Sequence, residues 1–228
     1  MDEAADVPEW QKREGYPIDS WMVYPTDGIY QTWDEVNGSP HLTGQQPGEI
    51  KYVDKDGDGE ITGQDMIRIF QTPTPELIFG IPMGASWNGF EVNVLWQGQA
   101  RTKQFLLPQS LNIDVDYFDG RWISATETPN AKYPRAYTYE YPTLDQMLQY
   151  WLRDASFMRL KNAELAYNFK SKLLERMSIN NLRVYVSGFN LLTFDGMKLV
   201  DPELNPGNFG GKYYPQTRIY NVGVNLSL

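Results

Sequence analysis

Apolar and polar residues alternate with a period of two along several separate stretches of this chain. A period of two marks a strand with one apolar and one polar side. From Ile219 to Leu228, Tyr220, Val222, Val224, Leu226 and Leu228 share one side, and Asn221, Gly223, Asn225 and Ser227 the other. From Leu77 to Trp87, Leu77, Phe79, Ile81, Met83, Ala85 and Trp87 oppose Gly80, Gly84 and Ser86, with Pro82 marking a local irregularity. Asn88-Gly89 is a two-residue hairpin signal. The return strand, Phe90 to Gln99, sets Phe90, Val92, Val94 and Trp96 against Glu91, Asn93, Gln97 and Gln99, and Leu95 breaks the pattern. Phe157 to Phe169 sets Ala163, Leu165, Tyr167 and Phe169 against Asn162, Glu164 and Asn168. Leu182 to Leu192 alternates less cleanly, and Tyr16 to Tyr30 reads as a strand broken near Pro25. Helical signals are sparse: one short helix around Leu144–Leu152, and one over Ser171–Ser178 with Ser171 as its N-cap.

The connections between these six strands are uneven. Two are short: the Asn88-Gly89 turn and the Ser171–Ser178 helix. Three are long, over residues 32–76, 101–155 and 195–217, well beyond ordinary loop length. Short turns at one end and long loops at the other are the plan of a transmembrane β-barrel, with the short turns periplasmic and the long loops extracellular. An apolar strand face running to the final residue agrees, because the lipid side of such a wall is apolar and the lumen polar. The fold expected is therefore all-β: an antiparallel transmembrane β-barrel segment. Its lipid-facing set would be Phe90, Val92, Val94, Trp96, Leu165, Tyr167, Val222, Val224 and Leu226.

Composition changes this picture little. The net charge of −9 and a pI near 4.7 argue against nucleic acid, whose binders carry a basic face. With no cysteine there is no disulfide framework. No apolar run approaches the ~18 residues of a membrane helix, but barrel strands need only ~9–11 alternating residues. The first residues, Met1-Asp-Glu-Ala-Ala-Asp, have neither the basic region nor the apolar core of a signal peptide. An exported protein needs one, so the chain is expected to be a piece of something longer or not to be exported.

One motif has metal chemistry. Asp54-Lys-Asp-Gly-Asp-Gly-Glu-Ile-Thr-Gly-Gln-Asp65 has the spacing of a calcium loop. Asp54, Asp56 and Asp58 converge, Gly59 allows the sharp turn, Glu60 offers its carbonyl, and Thr62 acts directly or through water. The twelfth position is Asp65, shorter than the usual Glu and less able to reach in bidentate fashion, so either a lower affinity or a better tolerance of magnesium is expected. The ion expected is Ca2+, structural, stiffening an outer loop; the bland alternative is a solvated acidic turn. The aromatic clusters Tyr133, Tyr137, Tyr139 and Tyr141, and Tyr213 with Tyr214, suit stacking on sugars or docking a partner protein. For any single one of them, packing of loop on loop and an interfacial girdle come before direct contact with a ligand. Glu91 and Glu164 lie on polar strand faces, where a lumen needs no catalysis to explain them. His41 is the only histidine, and no catalytic constellation stands out, so an enzyme is not expected.

Several stretches together resemble the C-terminal barrel portion of the SusC/RagA family of TonB-dependent outer-membrane transporters. They are Gly15-Tyr-Pro-Ile18, Asp27-Gly-Ile-Tyr30, Pro47-Gly-Glu-Ile-Lys-Tyr-Val-Asp54, Asn130-Ala-Lys-Tyr-Pro-Arg135, Ala155-Ser-Phe-Met-Arg-Leu-Lys-Asn162, Leu165-Ala-Tyr-Asn168, Leu182-Arg-Val-Tyr-Val-Ser-Gly188, Asn190-Leu191, Asp201-Pro-Glu203 and Tyr214-Pro-Gln-Thr-Arg218. Asn221, Gly223, Leu226 and Leu228 also resemble the C-terminal signal of the outer-membrane assembly machinery, with Leu228 where an aromatic is usual. The resemblance implies a barrel of about 22 strands, of which residues 1–228 would supply about six, and a plug domain with no counterpart here. It further implies a SusD-like lipoprotein partner, drive from the TonB complex, contact with outer-membrane lipid, and import of oligosaccharides or, in some members, peptides. The competing reading is a soluble, calcium-stabilised β-domain that binds glycans.

Overall fold

The computed structural model describes residues 11–106, 118–136, 148–169, 179–198, 200–203 and 216–227. In chain order its elements are β1 (Trp21–Val23), β2 (Thr26–Ile29), α1 (Trp33–Asn37), β3 (Ile50–Tyr52), β4 (Ile67–Ile69), β5 (Leu77–Trp87), β6 (Phe90–Ala100), β7 (Lys103–Phe105), β8 (Leu152–Asp154), β9 (Phe157–Phe169), β10 (Asn181–Asp195) and β11 (Ile219–Ser227). They fall into two units. Among the described residues no helix is long and apolar enough to cross a membrane.

The second unit (75–101, 155–203 and 214–228) is a five-stranded antiparallel sheet in the order β11-β10-β9-β6-β5. The five strands follow one another across the sheet in chain order as a meander, with β7 and β8 of the first unit falling between β6 and β9 in the chain. Asn88 and Gly89 both have positive φ, 48° and 90°, as a two-residue hairpin turn between twisted strands requires. At nine to fifteen residues, these strands reach the length that spans a bilayer.

Pairing defines the faces, since residues directly opposite share one. Ala85–Val92–Leu165–Val186–Val222 is one such row, and Trp87–Phe90–Tyr167–Val184–Val224 the next. All nine residues expected to face lipid lie on this one apolar face. On the other, Glu91, Asn93, Glu164, Ser187 and Asn221 sit in adjoining rows. A bulge preserves this division. Leu95 pairs with Asn162 and Trp96 with Leu160, which leaves Lys161 as an extra residue on β9. Beyond it the apolar residues of β9 change from odd to even positions, Leu160 and Met158, and remain opposite Trp96 and Gly98. Leu95, the break in alternation, belongs to a polar-side row with Phe189 and Ile219.

Glycines lie beneath large side chains on both faces. A Cβ on Gly223 would sit 2.3 Å from the Tyr185 ring, and one on Gly98 would sit 2.4 Å from that of Phe79. The ring covers the gap that the glycine leaves in the pleat.

The first unit (1–74, 102–154 and 204–213) holds the short strands. β1 pairs with β4, β2 with β3, and β7 with β8, all antiparallel. Val23, Tyr30, Val36, Ile50, Leu106, Leu148 and Trp151 are buried. Trp21 packs edge-on to Phe105 at 4.8 Å. Thr32 caps α1 through the amide of Glu35 (3.2 Å), and the Glu35 carboxylate accepts from Gln31 N.

Three expectations are corrected here. The Tyr16–Tyr30 strand breaks at Pro25 as read, but its halves, three and four residues long, are too short to span and pair inside the first unit. Among the described residues the wall therefore has five strands. The 32–76 stretch contains α1, β3 and β4 rather than loop alone. The helix expected at 144–152 is, where described, a single 3-10 turn, Gln149–Trp151, leading into β8. The Ser171–Ser178 helix lies outside the described residues.

Candidate functional sites: an acidic loop and a two-faced wall

The acidic loop is slung between β3 and β4. Asp54 accepts from the amides of Gly57 (2.6 Å) and Gly59 (2.9 Å), one on each carboxylate oxygen. Asp56 accepts from Asp58 N (3.1 Å) and Asp58 from Glu60 N (2.8 Å). These bonds wind the backbone around the carboxylates. Gly59, at φ 90°, supplies the left-handed step that a side chain would resist. One oxygen from each of Asp54, Asp56 and Asp58 lies within 4.8 Å of the others.

Asp65 stands apart from that group. It is fully buried, and its carboxylate accepts from the amides of Lys55 (2.7 Å), Asp56 (3.5 Å) and Thr62 (2.8 Å). It thus fastens the start of the loop to its end. Thr62 caps the following 3-10 turn through Gln64 N (3.2 Å). Glu60 is exposed. The electrostatics agree with this crowding. The Asp58 amide draws the Asp56 pKa down, but burial and the charges of Asp58, Asp65 and Asp54 outweigh it, and the net direction is upward. Burial and then the Asp65 charge raise the Tyr24 hydroxyl.

Of the aromatic residues singled out, Tyr133 is half-buried and its backbone is in use. It donates to Gly120 O (3.1 Å), accepts from Trp122 N (2.8 Å) and forms a bridge with Arg121. Tyr137, Tyr139, Tyr141, Tyr213 and Tyr214 lie outside the described residues.

The wall presents two different solvents' worth of side chains. On the apolar face Val222 is 78% exposed, Val224 61% and Leu226 53%. Leaving such a face to water is unfavourable by about 25 cal/mol per Å², and a patch on this scale marks a surface that something covers. On the opposite face, charges meet in pairs. Arg183 donates to Glu164 (2.6 Å) and Glu91 (3.3 Å), and Asn168 donates to the other Glu91 oxygen (2.7 Å). Near the long-loop end of the strands, Arg159 is 2% exposed and bonds to Asp201 and Glu203. Sequence reasoning passed over Arg159, because an arginine inside a strand gives no sign of partners some forty positions away. Glu91 and Glu164 share the single guanidinium of Arg183, which leaves the cluster with a net negative charge suited to a water-lined surface.

An exposed apolar face backed by a charged one, on antiparallel strands of spanning length of which β5 and β6 are joined by a two-residue turn, defines the wall of an outer-membrane β-barrel. Comparison with known proteins gives the family. The chain is 31% identical to TonB-dependent receptor P3 of Formosa agariphila over 94% of its length, and 28% identical to TonB-dependent receptor P26 of that organism over 88%. It is 27% identical to TonB-dependent receptor SusC of Bacteroides thetaiotaomicron over 93%. Its fold is similar to a solved structure of the RagAB peptide transporter, with a TM-score of 0.60, 23% identity and 91% of the chain covered. It is similar also to the RagAB peptide importer in the open-open state, at 0.59 and 20%. The chain spans 22%, 22% and 20% of the three receptors and 22% of the transporter chain. No family model matches it. The chain is barrel-wall sequence of the SusC/RagA family of TonB-dependent outer-membrane transporters, and its place is the cell outer membrane.

Proposed function

We propose that this chain lines part of the passage of a TonB-dependent importer, with its polar face to the lumen and its apolar face to lipid. The observation that carries the reading is the two-faced wall, which a soluble glycan-binding domain has no use for. The cargo is an oligosaccharide; the peptide transporter among the similar structures makes peptides the second candidate. A SusD-like lipoprotein captures the cargo, and the TonB complex drives entry through the plug and TonB-binding segment that the family carries. The work is gated passage with no covalent step. The acidic loop holds a structural Ca2+, with Mg2+ the weaker fit. Asp54, Asp56 and Asp58 supply carboxylates, Glu60 its carbonyl and Thr62 a direct or water-mediated contact, while Asp65 clasps the loop shut. Disrupting the full-length gene and measuring growth on single oligosaccharides and on peptides tests the importer reading. Loss of growth on one class, restored by the intact gene, is the expected result; unchanged growth and uptake on both would overturn it.

A further inference from the structure

The connection from β10 to β11 does more than join two strands. Asp195 turns it inward by accepting from Lys198 N at 2.7 Å. Met197 (3% exposed) and Pro202 (under 2%) are buried. Asp201 Oδ2 accepts from Arg159 Nη2 at 2.7 Å, and a Glu203 carboxylate oxygen accepts from Nη1. Gln216 Oε1 accepts from that same Nη1 at 2.9 Å, while its own amide donates to Glu203 at 2.6 Å. Two points 13 positions apart in the chain thus meet on one nitrogen. Arg159 Nε is fixed by Thr193 of β10 at 2.9 Å. From β6, Gln97 donates to Glu203 (3.2 Å) and Gln99 to Pro202 O (3.3 Å). The Lys161 ammonium, set by the bulge, reaches Glu203 at 3.5 Å.

We infer that Arg159 is a positioning residue: it tethers residues 196–198, 200–203 and Gln216 as a strap across the polar face of β6, β9 and β10, so that a solute meets the strap there and not the strands beneath it. The inference rests on the polar face being the lumen side. Three features favour a tether over ordinary packing. The contacts radiate from one planar guanidinium, whose rigid fork of five donors reaches Thr193, Asp201, Glu203 and Gln216 together, one acceptor more than the three donors of an ammonium can serve singly. The charges balance, with Arg159 and Lys161 against Asp201 and Glu203. Removing Arg159 leaves two carboxylates against one lysine, which drives the strap off the wall rather than merely loosening it.

The test uses the full-length transporter in outer-membrane vesicles. This chain has no cysteine, so Met197→Cys reports on the strap through reaction with a charged maleimide. Labelling should be slow in the otherwise native protein and faster by about tenfold or more with Arg159→Gln, the scale set by breaking a buried pair. Arg159→Lys should fall between. Should Arg159→Gln fail to assemble, Asp201→Asn removes one arm and keeps the guanidinium paired with Glu203; it should also speed labelling. Unchanged labelling in an assembled variant overturns the tether. Asn93→Cys, on the same face and away from the strap, should label from water in every background. Its refusal would sink the lumen reading and leave the Met197 result to decide the tether separately.

Discussion

A single side chain decides how tightly neighbouring strands meet at Gly223. Tyr185, from the paired strand, fills the space a side chain at Gly223 would need, and the Arg183 guanidinium stands 5.3 Å from the Tyr185 ring. Any larger residue must push that ring away. Gly223→Val should destabilise the barrel by about 1–3 kcal/mol, the usual effect of overpacking, and appear as a lower unfolding temperature of the detergent-extracted protein. Val224, one residue on, faces the other way. Val224→Arg places a cation in lipid at about 2–4 kcal/mol near the midplane and should strip the protein from the outer membrane. Asn221→Arg, on the polar face, should be recovered at normal levels. Equal recovery of these two arginine variants would contradict the assignment of faces.

At the scale of elements, the acidic loop joins stability to pH. Asp56 has a folded-state pKa raised above its ordinary value. A raised carboxyl favours the folded loop below its unfolded pKa, and that contribution disappears as the pH climbs through the folded value. In chelator, backbone amides of residues 54–65, corrected for intrinsic exchange, should be better protected at a pH near the ordinary aspartate value than at neutral, since the raised Asp56 gives its full contribution only at the acid end. Calcium should reverse the order, because binding needs Asp56 ionised. Protection that ignores calcium at neutral pH would remove the metal from the proposal. Asp65→Ala is a different perturbation. It strands up to three amides in a buried position, at about 1–3 kcal/mol each, so exchange across the loop should rise with or without the metal.

Elements also show what the sequence made legible. Leu77–Trp87 and Phe157–Phe169 were readable to the residue because a strand wetted differently on its two sides writes its period directly into the chain. β10 was read short by four residues, since its Asn190–Leu191 irregularity breaks the period before Leu192. β1 to β4 were missed or misplaced for a different reason: three or four residues hold no more than two full repeats, and their partners are set by tertiary pairing. The aspartates of the loop were visible from spacing, whereas the clasp role of Asp65 was not, because burial and amide geometry leave no mark on spacing. Arg159 shows the limit most plainly, since its meaning lies wholly in residues distant along the chain.

For the whole molecule, β5 and β11 are the two outer strands of the described sheet, and each leaves a row of backbone groups without a strand partner there. In lipid an open edge is not tolerated, because nothing replaces the missing hydrogen bonds. In water it invites pairing with other chains. Residues 1–228 expressed alone should therefore be recovered as aggregate or in detergent, with little monomer by light scattering in plain buffer. A stable, detergent-free monomer would return weight to the soluble glycan-binding alternative.

The bulge at Lys161 bears on how such a wall changes over generations. Strand faces obey parity: removing one residue from the middle of β6, such as Asn93, turns every residue on one side of the gap to the wrong solvent. Lys161 is the exception, already an odd residue absorbed without reversing its neighbours. Its removal would leave Asn162 and Leu160 adjacent, still opposite Leu95 and Trp96, at the loss of one ammonium beside Glu203. Single-residue gains and losses among natural variants should therefore gather at this one level of the wall, while the long connections change length freely.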